Sequence, residues 1–202
     1  MSNKNNNIKI ETKNFYLRQF NKEDHFDVYY NFWNDKNLLE FVKCDKPWSK
    51  ESVEDRLRMY ESLMNEFCLP NFAVFTKETE DFVGSCGMSL FHNAHSERNP
   101  LRPIKSEKYK NKEIELRYVL YKKYWNEEGY AIEIIKACID FVFDNYSDIK
   151  RIVVAAGADD ITEQKFLSKI GFESHNEISY SWYGKEIFHF INKKKDSSNI
   201  EN

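Results

Sequence analysis

The sequence predicts a single α/β domain, more closely an α+β one. Strand-type and helix-type hydrophobic periods alternate along its 202 residues, and no linker or internal repeat interrupts them. Apolar residues make up 41% and aromatic residues 16%, a composition that suits a packed core and argues against general disorder. With only six glycines and four prolines, the chain falls outside the collagen-like and low-complexity classes.

The charge balance limits the classes of partner. A net charge of −3 and a pI near 6.0 lack the basic footprint of a nucleic-acid-binding protein, so we expect no nucleic-acid partner. No apolar run approaches the roughly 18 residues of a membrane span, and the polar segment Met1–Asn7 lacks the apolar core of a secretory signal. We therefore expect a cytoplasmic protein with no membrane partner.

The cysteines and histidines predict no metal site. The four cysteines are far apart, no CxxC pair exists, and the five histidines lack the spacing of metal ligands. Lone cysteines within apolar runs are typical of reduced core residues, which is the prediction for all four.

The N-terminal half predicts strands and helices in turn. Alternation of apolar and polar residues indicates strands, and Asn21, three residues before Asp24, has the spacing of a helix N-cap. The predicted elements are strands at 8–10 and 15–20, a helix after Asn21, a helix from Ser49 to about Pro70, and a hairpin of strands 72–75 and 82–90.

A long basic loop follows. Residues 92–112 show no periodicity and carry a local charge of +4 within an acidic protein. Loops of this length are usually functional or disordered, so two interpretations stay open: a solvated flexible loop, or a patch that faces a substrate or partner.

The C-terminal half continues the alternation of strands and helices. The run at 152–156 is wholly apolar, as in a strand buried on both faces. Asp159 or Asp160 is positioned to cap a helix that ends at Ile170, where Gly171 suits a left-handed C-cap. The predicted elements are a strand at 113–121, a helix at 129–146, a strand at 152–156, a helix ending at 170, and strands 178–183 and 186–191 around a Gly184-Lys185 turn.

Five segments carry short motifs in a fixed order along the chain: residues 10–18, 81–87, 115–120, 124–133 and 167–172. Together they resemble the GNAT superfamily of acetyl-CoA-dependent N-acetyltransferases, and most closely its RimJ/RimL-like branch. The resemblance covers about residues 8–192 and implies one GNAT-like domain with a mixed central β-sheet and helices on both faces. Residues 1–7 and 193–202 are then expected to be disordered tails.

The physical pattern around Gly129 suits a phosphate ligand. A strand ending near Tyr121 is followed by a helix starting near Gly129, and a helix N-terminus presents unpaired N–H groups to anions. Taken alone, Gly129 is also explained by a tight turn that enters the helix. The resemblance implies acetyl-CoA as cosubstrate, with these residues binding it: Tyr118, Val119, Leu120, Asn126, Glu127, Glu128, Gly129, Tyr130, Ala131 and Asp160.

Two departures from the branch leave a second function open. The loop after Trp125 is one residue longer than the branch's and lacks its first glycine, while Glu127 and Glu128 add negative charge. Asp160 and Glu163 stand where the branch has Asn and Ser, and carboxylates accept hydrogen bonds but do not donate them. The alternative is a GNAT-fold binding or regulatory protein with weakened or lost turnover.

The resemblance also implies direct attack of an amine on the thioester, which needs a base to remove a proton. Glu115 is the candidate base; its alternative role is a salt bridge with Lys112 or Arg117, and Glu113 shares its strand face. The tyrosine acid of many family members corresponds to Leu167 and is absent. The acceptor is expected to be a primary amine of a peptide or small molecule, with a protein N-terminal α-amine as one candidate.

Overall fold

The computed structural model describes residues 8–90, 113–126, 129–181 and 184–194. The predicted basic loop at 92–112, Glu127, Glu128, both expected terminal tails except Lys193 and Lys194, and residues 182–183 lie outside them. The strands are β1 Lys9–Glu11, β2 Phe15–Gln19, β3 Asn71–Thr76, β4 Phe82–Leu90, β5 Glu113–Leu120, β6 Arg151–Gly157, β7 Glu173–Ser181 and β8 Gly184–Asn192. The helices are α1 Lys22–Phe32, α2 Lys36–Phe41, α3 Lys50–Phe67, α4 Lys123–Asn126, α5 Tyr130–Asn145 and α6 Ile161–Ile170.

The strands form one mixed sheet in the order β1-β2-β3-β4-β5-β6-β8-β7. Strands β1 to β4 pair antiparallel in succession, and β8 pairs antiparallel with both β6 and β7. Strands β5 and β6 are parallel, with paired residues running from Glu113↔Arg151 to Glu115↔Val153. The predicted α/β class with a mixed sheet is confirmed.

The chain divides into two compact units, so far as its residues are described. The first comprises Met1–Ser89 and Leu116–Phe141, and the second comprises Leu90–Glu115 and Val142–Asn202. The first unit therefore holds β1 to β3, all of β4 except Leu90, the end of β5, α1 to α4 and most of α5. The second holds the start of β5, the strands β6 to β8, the end of α5 and α6.

An aromatic cluster forms the core beneath α1, α2 and α3 in the first unit. Trp33 stacks on Trp48 with ring centroids 4.2 Å apart, and the Tyr29 and Tyr60 hydroxyl oxygens are 3.1 Å apart. Such aromatic pairs add about 0.5–1.5 kcal/mol each beyond the area they bury. The buried residues of this core, aromatic and aliphatic together, are Phe20, Tyr29, Phe32, Trp33, Leu38, Leu39, Val53, Leu57, Ala73 and Phe75.

Capping residues explain most helix boundaries. The Asn21 side chain accepts a hydrogen bond from the Asp24 N–H at 2.7 Å, and Ser49 Oγ accepts one from the Ser52 N–H at 3.2 Å. Both predicted helix starts are thereby confirmed, as is the left-handed C-cap at Gly171, whose φ is +103°. Helices α2 and α4 have no counterpart in the sequence prediction because six and four residues are too few to show a helical period.

Two predictions are wrong. Ser181 pairs with Gly184 and Tyr180 with Lys185, so Gly184 and Lys185 belong to β8 and do not form the turn. Cys86 and Cys138 are buried as expected, but Cys44 is only partly buried and Cys68 is exposed at the C-cap of α3, with a φ of +55°. The apolar neighbours of Cys68 in sequence did not predict its exposure, because Cys68 is the left-handed residue at which α3 ends.

None of the described helices is both long and apolar enough to cross a membrane.

Strands β4 and β5 approach each other closely at Gly84. A Cβ atom added there would lie 2.2 Å from the Val119 carbonyl oxygen and 2.8 Å from Leu120 Cα, and the φ of +146° is one that other residues rarely adopt. The Tyr121 N–H donates to the Val83 carbonyl at 3.0 Å beside this contact. The end of β5 can therefore lie this close to β4 only because Gly84 has no side chain.

Gly84→Ala is expected to lower the free energy of unfolding by about 2–4 kcal/mol, because it combines an overpacked contact with a strained backbone. Chemical denaturation of parent and variant measures the difference. Gly157→Ala is the matched control, since its added Cβ would make only an ordinary 3.6 Å contact with Asp160 Cβ. Equal stability of the Gly84 variant and the parent would contradict the close approach.

Candidate active site

Strand β5 carries the predicted base and the predicted thioester-facing residues. Its side chains alternate between two faces, so Glu115 and Val119 lie on one face while Tyr118 and Leu120 lie on the other. Leu120 is fully buried, whereas Glu115, Tyr118 and Val119 are half-buried. The structure places all four on one strand.

The entrance to α5 carries a glycine in a left-handed conformation. Gly129 is exposed with a φ of +83°, and an added Cβ would meet no atom of the described residues within 4 Å. The Glu133 N–H donates to the Gly129 carbonyl at 2.8 Å and makes the first hydrogen bond of the helix. The N–H groups of residues 130–132 therefore lack intrahelical acceptors. The partial positive charge at this end of the helix suits a phosphate group. These features fit the pyrophosphate of acetyl-CoA.

Tyr130 and Ala131 contribute to the helix entrance by packing. The Tyr130 ring meets the Phe15 ring edge-on with centroids 5.2 Å apart, and it lies 6.3 Å from the Tyr124 ring. Ala131 is only 3% exposed. The Tyr130 side chain joins α5 to the start of β2 and to α4, and the Ala131 side chain is buried, which leaves their backbone N–H groups as the parts suited to an anion.

A pair of hydrogen bonds that sequence reasoning missed joins α5 to the β1–β2 turn. The backbone N–H of Asn14 donates to Glu133 Oε1 at 2.7 Å, and Asn14 Nδ2 donates to Glu133 Oε2 at 2.7 Å. We call this pair of hydrogen bonds the Asn14–Glu133 clamp. Because its partners are 119 residues apart, no local sequence signal could have identified it.

A cleft of about 450 Å³ opens beside the clamp. Lys77 and Lys123 both line it: the Lys77 ammonium lies 3.4 Å from Glu11 Oε2, and the Lys123 ammonium lies 4.8 Å from the Tyr124 ring centroid. The full lining is Lys13, Asn14, Phe15, Thr76, Lys77, Glu78, Thr79, Asp81, Lys123, Tyr124 and Tyr130.

Tyr121 is the residue immediately after the C-terminal end of β5. Its ring packs edge-on against Phe32 with centroids 4.8 Å apart. Burial, followed by the negative charge of Asp35 and the proximity of Tyr124, raises the pKa of Tyr121 above its ordinary value of 10.0. The Tyr121 phenol is therefore protonated at neutral pH.

In the second unit, three residues that the sequence analysis singled out have structural contacts. Glu113 forms an ion pair with Arg151 at 3.1 Å, and Leu167 is fully buried. Asp160 is the N-cap of α6, where its Oδ1 accepts from the Glu163 N–H at 2.9 Å. Of the two aspartates considered as caps, Asp160 is the one used.

Asp160→Ala is expected to lower the free energy of unfolding by about 1 kcal/mol, because α6 loses its N-cap. Asp160→Asn is the matched control, since its side-chain oxygen accepts the same hydrogen bond. Thermal denaturation of both variants checks this. Equal destabilisation by the two substitutions would contradict a capping role.

Comparison with known proteins identifies the family. A model described as an acetyltransferase (GNAT) domain matches residues 14–173. An uncharacterized N-acetyltransferase p20 from Bacillus licheniformis is 22% identical over 164 residues, which are 81% of this chain and 82% of that protein.

Solved structures share the fold. The RimL ribosomal L7/L12 α-N-protein acetyltransferase, in complex with coenzyme A, has a TM-score of 0.70 at 14% identity, covering 92% of this chain and 98% of that one. The ribosomal-protein-S5-alanine acetyltransferase from Vibrio fischeri also has a TM-score of 0.70 at 14% identity, with coverage of 92% and 97%. A GNAT-family acetyltransferase from Bacillus anthracis gives 0.65 at 15% identity, with coverage of 93% and 100%. The match to the family model over most of the chain confirms the resemblance: the protein belongs to the GNAT family of N-acetyltransferases.

Proposed function

We propose that this N-acetyltransferase uses acetyl-CoA to acetylate the α-amine at a protein N-terminus, and that it does so in the cytoplasm. The observation that carries the donor site is the open first turn of α5 at Gly129, directly after β5 and α4. Support for a protein acceptor comes from the neighbouring structures whose names specify ribosomal-protein acetylation.

The donor site that we propose consists mainly of backbone groups. The backbone N–H groups of Tyr130 and Ala131 lie at the N-terminal end of α5, which attracts anions. Gly129 leaves room for phosphate oxygens to approach these groups. Asn126, Glu127 and Glu128 complete this loop as predicted contacts. Acetyl-CoA, when bound, supplies the acetyl group as a reactive thioester.

Strand β5 orients the reacting groups in this proposal. The backbone of Tyr118, Val119 and Leu120 lines the thioester arm, and the contact of Gly84 with Val119 fixes where that backbone lies. Asp160 is retained as a predicted contact to the cofactor arm, and its Oδ1 already accepts the Glu163 N–H as the cap of α6.

Glu115 is the proposed base. An α-amine has a pKa near 8 and is largely protonated at neutral pH, so it must lose a proton before it can attack a carbonyl carbon. The Glu115 carboxylate takes this proton directly or through one water molecule. It is half-buried on β5, so part of its side chain remains accessible to a substrate.

Coenzyme A is expected to raise the melting temperature. Ligand at about 100 times its Kd stabilises the folded state by about 2.7 kcal/mol, which a thermal-shift titration detects. Pantetheine, which lacks the pyrophosphate, is the control and should give a much smaller shift at equal concentration. No shift with millimolar coenzyme A would contradict the donor site and favour the regulatory alternative.

Glu115→Gln is expected to reduce kcat by about 10²–10⁴-fold, the usual contribution of a general base, while coenzyme A binding is retained. Thiol release with a peptide bearing a free N-terminus measures kcat, and the same peptide with a blocked N-terminus should be inert. Glu173→Gln, at an exposed position on β7, is the matched control. A Glu115 variant with the parent's kcat would exclude this base.

A further inference from the structure

Glu133 has an unusual position for an acidic residue beside an anion site. It lies in the first turn of α5, where its own N–H makes the first hydrogen bond of the helix. A carboxylate in this turn stabilises an empty helix through the helix dipole, but it opposes a second anion at the same end. The direction of the Glu133 side chain therefore matters for any phosphate ligand.

The clamp determines that direction. Each Glu133 oxygen accepts one hydrogen bond at 2.7 Å, one from the Asn14 backbone and one from the Asn14 side chain. Tyr130 lies three residues earlier on the same helical face, and its ring packs against Phe15, the next residue after Asn14. Glu133 and Tyr130 are thus both held against the start of β2.

Asn14 is itself held by two turns. Its carbonyl accepts the Lys77 N–H from the β3–β4 turn at 2.8 Å. On its other side, Thr12 Oγ1 accepts the Phe15 N–H at 2.9 Å, which closes the β1–β2 turn. A partner that is fixed in this way gives the α5 carboxylate a single orientation, because any rotation would leave two donors unpaired.

We propose that the Asn14–Glu133 clamp positions the first turn of α5 for phosphate binding: it keeps the Glu133 charge on the β2 side and fixes where the free N–H groups point. Glu133 and Asn14 are positioning residues in this role and do not touch the reacting atoms. The inference rests on the proposed binding of acetyl-CoA at α5.

Glu133→Gln tests the clamp because competing explanations predict different results. The amide keeps the size of the side chain but can accept only one of the two hydrogen bonds. Loss of the clamp should weaken coenzyme A binding, and raise KM for acetyl-CoA, by about tenfold, the effect of losing one hydrogen bond to a charged group. The kcat should stay within about threefold of the parent, since the reacting groups on β5 are unchanged.

Two results would overturn the proposal. If the charge of Glu133 only repelled the ligand, Glu133→Gln would bind coenzyme A more tightly than the parent. If the pair only stabilised the fold, the melting temperature would fall while Kd and KM stayed constant. Binding is therefore measured by calorimetry well below each variant's melting temperature.

Variants at Asn14 examine the same contact from its other side. Asn14→Ala removes one donor and keeps the backbone N–H, so its loss of affinity should be smaller than that of Asn14→Asp, which opposes two carboxylates. Combining Asn14→Asp with Glu133→Gln should recover affinity relative to Asn14→Asp alone, because an amide then faces a carboxylate again. Additive losses would overturn the clamp.

Glu66→Gln is the matched control, since Glu66 is an exposed helical residue that accepts a hydrogen bond from Ser62 at 2.5 Å. It should bind coenzyme A as the parent does. If the parent itself shows no coenzyme A binding, the donor-site proposal and the clamp's role are both overturned. If the parent binds and Glu133→Gln binds equally well, the clamp alone is overturned.

Discussion

The open first turn of α5 is the constraint on which the remaining site depends. Three consecutive N–H groups without intrahelical acceptors can bind an anion only if the helix end is uncovered and stationary. At Gly129, no atom of the described residues lies within 4 Å of where a side chain would begin, which leaves room for an anion there. The packing of Tyr130 on Phe15 and the hydrogen bonds of Glu133 keep the helix end stationary.

The Glu133 carboxylate adds negative charge near this turn, and its hydrogen bonds determine where that charge lies. The carboxylate is directed to two N–H donors of Asn14, and those donors belong to a turn that is tied to β3–β4 through the Lys77 N–H. Orientation thus separates the stabilising effect of an acidic first turn from its repulsion of a ligand. Ala131 and Cys138 pack on the buried side of the same helix.

Local chemistry explains how much of the fold could be predicted. A cap at Asn21 or a left-handed residue at Gly171 depends on a few neighbouring residues, so its signal is present in the sequence. The short helices α2 and α4 carry too few residues for a period. The prediction that Gly184 and Lys185 form a turn was wrong because strand register is a property of two segments together.

The sequence by itself determined the alternation of strands and helices, the family, and the glycine at which α5 begins. These depend on hydrophobic period, short motifs and backbone freedom, which are all local. Only the tertiary structure decided that Glu133 meets Asn14 and that Gly84 must lack a side chain against Val119. Contacts between residues far apart in the chain exist only after the strands and helices have packed, and these contacts orient the groups of the proposed site.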